Sequence, residues 1–366
     1  MLKSLKIENF RGFETLELKQ FGRINLLVGE NNCGKTSILE AIQLLCSRGN
    51  LEPLSQLMFG RGEVLINDER KLSPLNRREM LDVCHLFYGH GLTLDNKFTI
   101  SSGDDRVECL IGEIHQQASL FDNDDDFQDL SQNLEMVLFW IFSQEREGIR
   151  FLLSPEGGVA SDHLRRNRRE LKNSAIKTQF VTSSSLTSDA MIELFDQIVL
   201  KPEEEIITKA LQTIDPEIER IASVAVSRAR YSGRTGFKIR RSGTTQPVPI
   251  GSMGDGIWRM LGLSLAAACT KDGVLLVDEI DTGLHYSAMS KMWKMIWETA
   301  KQSNVQVFAT THSRDCWESL AEIAKMDDAE EEEGITIHRV EKGRDRTTLF
   351  DTPMIVAAAE REIEVR

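Results

Sequence analysis

Apolar and polar residues alternate over Leu2–Glu8 and again over Thr15–Leu18, the period-two pattern of strands with one buried face. Ile24–Val28 reads as an apolar run suited to a central strand covered on both sides. Over residues 36–47 the period lengthens, with Ile38, Leu39, Ile42 and Leu45 on one face, and predicts a helix. Phe98–Ser101 and Val107–Ile114 predict strands flanking the turn Ser102–Asp105. Residues 131–148 have helical apolar spacing, Arg150–Leu153 suggests a short strand, and 189–214 reads as a helical arm. A strand-rich segment covers 220–250. Helix 257–269, strand 274–277, helix 286–301 and strand 305–309 then make a βα series, and a last strand pair is expected over 335–350. Met289, Trp293, Ile296 and Trp297 repeat at helical spacing, a stripe that reads as core. No internal repeat is visible. The pattern gives an α/β fold with a mixed β-sheet core and an antiparallel β subdomain, divided into an N-terminal lobe (1–120), a helical insertion or arm (121–219) and a C-terminal lobe (220–366).

Composition changes this picture little. The chain of 366 residues is 41% hydrophobic and 28% charged, ordinary values for a globular protein whose core needs no disulfide or metal staple. The formal charge of −13 does matter, because nucleic acid would be repelled except by a local basic patch. Two candidates exist: Arg165, Arg166, Arg168 and Arg169, and the stretch from Arg220 to Gly254. The second holds Arg220, Arg228, Arg230, Arg234, Lys238, Arg240 and Arg241 with no acid among them. They read equally as a DNA-binding stripe or as a solvated strand face. Asp122–Asp129 and Asp327–Glu333 are acidic and read as solvated loops. The cysteines at 33, 46, 84, 109, 269 and 316 form no C-x-x-C pair and no Cys/His pattern of zinc spacing, so reduced thiols in a cytoplasmic protein are expected. No secretory signal is visible and no apolar run is long enough to span a bilayer, so no membrane association is expected.

Chemistry enters at residues 29–36. Gly29-Glu30-Asn31-Asn32-Cys33-Gly34-Lys35-Thr36 satisfies G-x-x-x-x-G-K-[ST] at each fixed position, between an apolar strand and an amphipathic helix. The glycines let backbone N–H groups turn toward a phosphate, Lys35 adds a point charge for the β- and γ-phosphates, and the Thr36 hydroxyl is placed for Mg²⁺. Ser37 follows in the first turn of the helix, whose dipole favours the same anion. ATP with Mg²⁺ is the expected ligand pair.

The other half of such a site lies some 240 residues downstream. Val274–Val277 is an apolar strand ending in Asp278-Glu279: Asp278 is expected in the Mg²⁺ shell, and Glu279 is positioned to deprotonate the attacking water. Ser252-Met253-Gly254-Asp255-Gly256 precedes a helix and offers a second anion-binding turn. The strand Val305–Ala309 leads through Thr310-Thr311 to His312, which can reach a γ-phosphate from the strand end.

Phosphate loop, long insertion, glycine-rich turn, Asp-Glu strand and histidine, in that order, resemble the ABC ATPases. Ile7-Glu8-Asn9-Phe10-Arg11-Gly12-Phe13 looks like the RecF, SMC and OLD (overcoming lysogenization defect) branch, and Leu284-His285 after Asp281-Thr282-Gly283 is similar to the OLD type. The resemblance covers roughly 1–60 and 250–320. It implies an ABC-type P-loop ATPase head that closes as a homodimer, or a higher assembly, around two ATPs. The turn Gly254–Gly256 of one subunit would meet the γ-phosphate held by the other. It further implies that Asn31 and Arg11 lie near the phosphates, that Asp281 belongs to the loop crossing the interface, and that His312 senses the γ-phosphate. The usual signature Leu-Ser-Gly-Gly-Gln is altered: Gly254 stands for the Ser and Ile257 for the Gln. A glutamine loop is not placed, with Gln116 and Gln144 the candidates. OLD-type proteins often carry a Toprim nuclease after the ATPase. Because 54 residues follow His312, any effector is expected on a separate chain. Two readings follow: an ATPase controlling such an effector, a nuclease or toxin, in anti-phage defence, or a RecF-like repair ATPase that clamps DNA.

Overall fold

A computed structural model describes residues 1–65, 79–113, 134–142, 145–162, 176–224, 234–325 and 334–366. The acidic stretches 122–129 and 327–333, the basic cluster 165–169, Arg228, Arg230, Gln116 and Gln144 lie outside the described residues.

A six-stranded sheet divides the molecule. Its order is β11 (Thr178–Val181), β15 (Val274–Val277), β16 (Gln306–Thr310), β3 (Ile24–Val28), β17 (Ile335–Arg339) and β18 (Thr348–Phe350). The first five are parallel and β18 is antiparallel, the mixed sheet that the βα series predicts. Strands from all three stretches of the sequence meet in it. β15, β16 and β3 are direct neighbours, so three loops far apart in sequence leave the same edge side by side. Such carboxyl ends are where open α/β sheets bind ligands.

Each strand feeds two cores, because successive side chains point to opposite faces. Leu276, Phe308 and Leu27 face one way, toward α1 (Lys35–Ser47) and a six-stranded antiparallel sheet behind it. That sheet runs β2 (Phe13–Lys19), β1 (Ser4–Phe10), β6 (Lys97–Ser102), β7 (Asp105–Glu113), β8 (Leu134–Phe142) and β9 (Glu145–Leu152). Leu275, Val277, Leu26 and Val307 face the other way, toward the helices Asp255–Cys269, Tyr286–Gln302 and Arg314–Ala324. α1 is therefore pressed between two sheets, and nearly all its residues are buried. The polar Asn25 inside β3 is fully enclosed and fully bonded. Its amide donates to the Gly22 and Val307 carbonyls at 2.9 and 3.1 Å, and its carbonyl accepts from Gly22 N–H at 2.8 Å and Thr336 Oγ1 at 2.9 Å.

The helical spacing of 131–148 is overturned: β8 and β9 form an antiparallel pair, Leu138 opposite Ile149 and Trp140 opposite Glu147. Leu134–Phe142 is nearly unbroken apolar sequence, which matches both periods, and its aromatic and branched residues favour the strand. Met136, Leu138 and Trp140 alternate onto the core, and Trp140 Nε1 donates to the Leu44 carbonyl of α1 at 3.4 Å. Residues 189–214 are helical as read. Ser188–Ile198 and Glu203–Gln212 pack on the helix Asp255–Cys269, and the 220–250 segment supplies a small antiparallel sheet of Ile218–Ser223, Phe237–Arg241 and Val248–Pro249.

β17 carries a buried histidine, His338, whose ring nitrogens each lie 3.3 Å from a hydroxyl, Thr336 and Thr347. Burial draws its pKa down to about 4. An unfolded histidine titrates near 6.5, so between about pH 4 and 6.5 the unfolded chain binds the extra proton and the folded chain does not. Stability is full above that window and falls as pH drops through it, by about 3 kcal/mol across the whole range. Urea unfolding at pH 7 and pH 5 should show the loss, and His338→Gln should reduce it.

Candidate nucleotide site

The phosphate loop leaves β3 in backbone geometry that the sequence can adopt only at glycine. Gly29 has φ 142°, and a Cβ there would stand 2.3 Å from the Val340 carbonyl oxygen. Gly34 has φ 95°, and a Cβ there would stand 2.3 Å from the Phe13 ring. Asn31 and Asn32 are exposed at the rim, Asn32 in the left-handed region, while Cys33 and Ser37 are buried at the root of α1. Gly34→Ala is expected to abolish fluorescent-nucleotide binding in a folded protein. Adding Phe13→Ala should recover only part, because the left-handed backbone still costs about 1–2 kcal/mol.

Lys35 is buried, and its Nζ donates to the carbonyls of Gly29 at 2.9 Å and Glu30 at 2.7 Å. Desolvation lowers its pKa, opposed by Cys33, Asp278 and Glu279. A phosphate held in the loop supplies the countercharge that a desolvated ammonium favours. His312 arrives from the end of β16: its Nδ1 lies 3.3 Å from Lys35 Nζ and 3.2 Å from the Gly29 carbonyl oxygen. Its Nε2 is 4.0 Å from Glu279 Oε1.

Asp278 leaves β15 with its carboxylate between two hydroxyls. Thr36 Oγ1 is 3.1 Å from both oxygens, and Thr310 Oγ1 donates at 2.7 Å. An all-oxygen donor set of one carboxylate and a threonine hydroxyl suits a hard cation such as Mg²⁺. Glu279 sits in the left-handed region, φ 46°, held by its N–H donating to Thr310 Oγ1 at 2.8 Å and by Ile280 N–H donating to the Thr310 carbonyl at 3.0 Å. That backbone costs energy and turns the half-exposed carboxylate toward His312, where Thr282 Oγ1 donates to it at 3.2 Å. Lys35, Thr36, Asp278, Glu279 and His312 thus converge from three loops.

The other expected residues have partners of their own. Arg11 is buried against carboxylates: Nε is 2.5 Å from Glu40 of α1, and Nη1 is 2.6 Å from Glu63. Glu40, itself enclosed, has its pKa raised by desolvation, with Arg11 and Arg61 opposing. Gly254 starts the helix Asp255–Cys269 at φ 87°, Asp255 is ion-paired with Arg234, and Gly256 packs against Gly283 and Leu284 in the loop after Glu279. Asp281 accepts from Thr311 Oγ1 at 2.6 Å.

One residue escaped the sequence reading. Arg259, in the helix that follows Gly254, is 2% exposed, and its guanidinium donates to three carbonyls: Thr182 at 2.6 Å, Asp278 at 2.9 Å and Glu279 at 2.8 Å. Burial lowers its pKa to about 10, against the opposing charges of Asp281, Asp278 and Glu279. The signal was the one charged residue in the run Ile257–Cys269.

Comparison with known proteins agrees with this geometry. The chain is similar to an ATP/GTP phosphatase of Helicobacter pylori, 24% identical over 346 residues and 90% of each chain. It is also similar to the DNA replication and repair protein RecF of Clostridioides difficile, 29% identical over 141 residues, 38% of this chain and 31% of that protein. A solved SMC head bound to the C-winged helix domain of ScpA aligns with 96% of this chain and 98% of its own at 12% identity, TM-score 0.49. Among the described residues, no helix is long and apolar enough to cross a membrane. Residues 24–315 match the family model described as "AAA domain, putative AbiEii toxin, Type IV TA system", and the chain belongs to that family, as an ATPase of the AAA-domain class.

Proposed function

We propose that the protein is an OLD-like ATPase subunit that dimerises on ATP and Mg²⁺ and controls a separately encoded nuclease or toxin in anti-phage defence. The convergence of Lys35, His312 and Glu279 carries the ATPase half of this reading, with ion and hydrogen-bond distances of 3.3 and 4.0 Å linking the three. Lys35 and the backbone of Gly29–Gly34 hold the β- and γ-phosphates, with Asn31, Asn32, Cys33 and Ser37 shaping the loop. Thr36 and Asp278 hold Mg²⁺, which when bound neutralises phosphate charge. Glu279 takes the proton of the attacking water, and His312 reports the γ-phosphate. Gly254, Asp255 and Gly256 of a partner copy close the site from the other side. The family description supports the defence setting.

Similarity to RecF favours a second reading, an ATP-dependent DNA clamp. The basic segment supports it weakly. Arg234 pairs with Asp255, Arg240 with Glu219 at 2.9 Å, and Arg241 with Asp215 and Glu217 at 3.0 and 2.6 Å, so much of the positive charge is already balanced. Purification from its own cells with ATP and Mg²⁺ separates the readings. A stoichiometric partner with nuclease or toxin activity that responds to ATP supports effector control. Salt-sensitive DNA binding that appears only with ATP, and no such partner, replaces it with the clamp.

A further inference from the structure

Outside the nucleotide site, the turn after β5 (Met80–Asp82) gathers metal-binding side chains. A carboxylate oxygen of Asp82, the sulfur of Cys84 and a ring nitrogen of His85 all lie within 4.8 Å of one another. Among the described residues this is the one group of three such ligands that converges. The sequence shows no zinc spacing here because the three come from one tight turn, not from two paired knuckles.

The turn is built from beneath. Val83, Leu86 and Phe87 are buried at 1%, 0% and 2% exposure, which fixes the 3₁₀ turn Val83–Leu86 and leaves Asp82, Cys84 and His85 at the surface. Asp82 Oδ1 accepts from Cys84 N–H at 3.1 Å, and its other oxygen faces His85 Nε2 at 3.5 Å. His85 Nδ1 points away to His90 Nδ1, 3.3 Å distant. His90 is brought there by Tyr88–His90, where Gly89 and His90 both have positive φ.

We propose that Asp82, Cys84 and His85 bind a zinc-class divalent ion, His85 through Nε2, with His90 accepting the Nδ1–H hydrogen bond that fixes the ligating tautomer. The donor set is one thiolate, one imidazole and one carboxylate, which favours zinc over magnesium or calcium. Tetrahedral ligands around zinc stand roughly 3.3–3.8 Å apart, within reach of small side-chain adjustments from the present spacing. Three protein ligands leave a fourth position open to water, and the two anionic ligands neutralise the ion's charge. Asp82 N–H donates to the Glu63 carbonyl and Arg11 N–H to the Leu86 carbonyl, both at 3.0 Å, so the ion would stiffen the turn beside the Arg11–Glu40–Glu63 cluster.

The test is cobalt(II) titration of the EDTA-stripped full chain, followed by absorbance. A thiolate-to-cobalt band in the near ultraviolet with tetrahedral visible bands is expected, saturating at one ion per chain and displaced by zinc. Cys84→Ser and His85→Gln should lose the band while keeping the circular dichroism and nucleotide binding of the wild type. His90→Phe should weaken binding about 10–100-fold. Cys33→Ser, which removes the thiol nearest the nucleotide site, should leave the band unchanged. No thiolate band in the wild type, or a band that survives Cys84→Ser, overturns the proposal.

Discussion

Glu279→Gln should lower ATP turnover by about 10²–10⁴-fold, the usual contribution of a positioned general base, while the purified variant keeps its nucleotide. The amide preserves size and can still accept from Thr282 Oγ1, and the side chain is 43% exposed, so folding is little affected. What it removes is the carboxylate that takes the proton from water. Binding groups are untouched, since Lys35 is held by the Gly29 and Glu30 carbonyls, and Asp278 is held by the Thr36 and Thr310 hydroxyls. ATP that binds but is not cleaved should therefore hold two copies together. Mass measurement with ATP and Mg²⁺ should show a dimer or larger assembly for the variant, against a mixture for the wild type. Unchanged turnover would remove Glu279 from the proposed chemistry. A nucleotide-free monomer would mean that the altered signature, with Gly254 and Ile257, does not support self-association, and that another chain completes the site.

The parts of this site that were legible in the sequence are those written as short contiguous strings. Ile24–Thr36 and Val274–Glu279 each combine a strand with the loop that follows it, so pattern and element predict one another. His312 was legible because it ends a strand in the same series. That the three meet followed from the order of the motifs and not from local pattern, because β15, β16 and β3 pair across nearly the whole chain, and local pattern carries no register. Leu134–Phe142 was misread for a different reason: an unbroken apolar run has no period to read, and only the opposing β7 and β9 decide its form. The contacts of Arg259 and Arg11 were hidden because their partners are unmarked in sequence. Arg259 binds backbone carbonyls, which every residue has, and Arg11 binds Glu40 and Glu63 through a fold-dependent approach. The convergence of Asp82, Cys84 and His85 depends on one 3₁₀ turn, which leaves no spacing signature.

Arg259→Met should both destabilise the protein and slow hydrolysis, and the two effects can be separated. Methionine fills much of the buried stem but removes the only side-chain donor to the Asp278 carbonyl among the described residues, while the Thr182 and Glu279 carbonyls keep the N–H groups of Ser185 and Thr282. A buried polar group left unsatisfied costs about 1–3 kcal/mol, so a loss of that size is expected, a large share of a typical domain's stability. Urea unfolding measures that part. At a temperature where the variant remains folded, the catalytic effect follows from position. The guanidinium ties the helix that begins after Gly254 to the backbone on which Asp278 and Glu279 stand, and Glu279 already occupies a strained conformation that needs such support. Without it the carboxylate loses its fixed aim, and kcat should fall at least tenfold. The dissociation constant for ATP should change little, because the phosphate loop makes no use of Arg259. Arg259→Lys keeps the charge but cannot fork to three carbonyls, so it should recover part of the stability and less of kcat. If folded Arg259→Met turns over ATP at the wild-type rate, the arginine serves packing alone. If kcat falls with ATP affinity intact, the residue is a positioning group, and the Gly254 turn is coupled through it to the catalytic carboxylate.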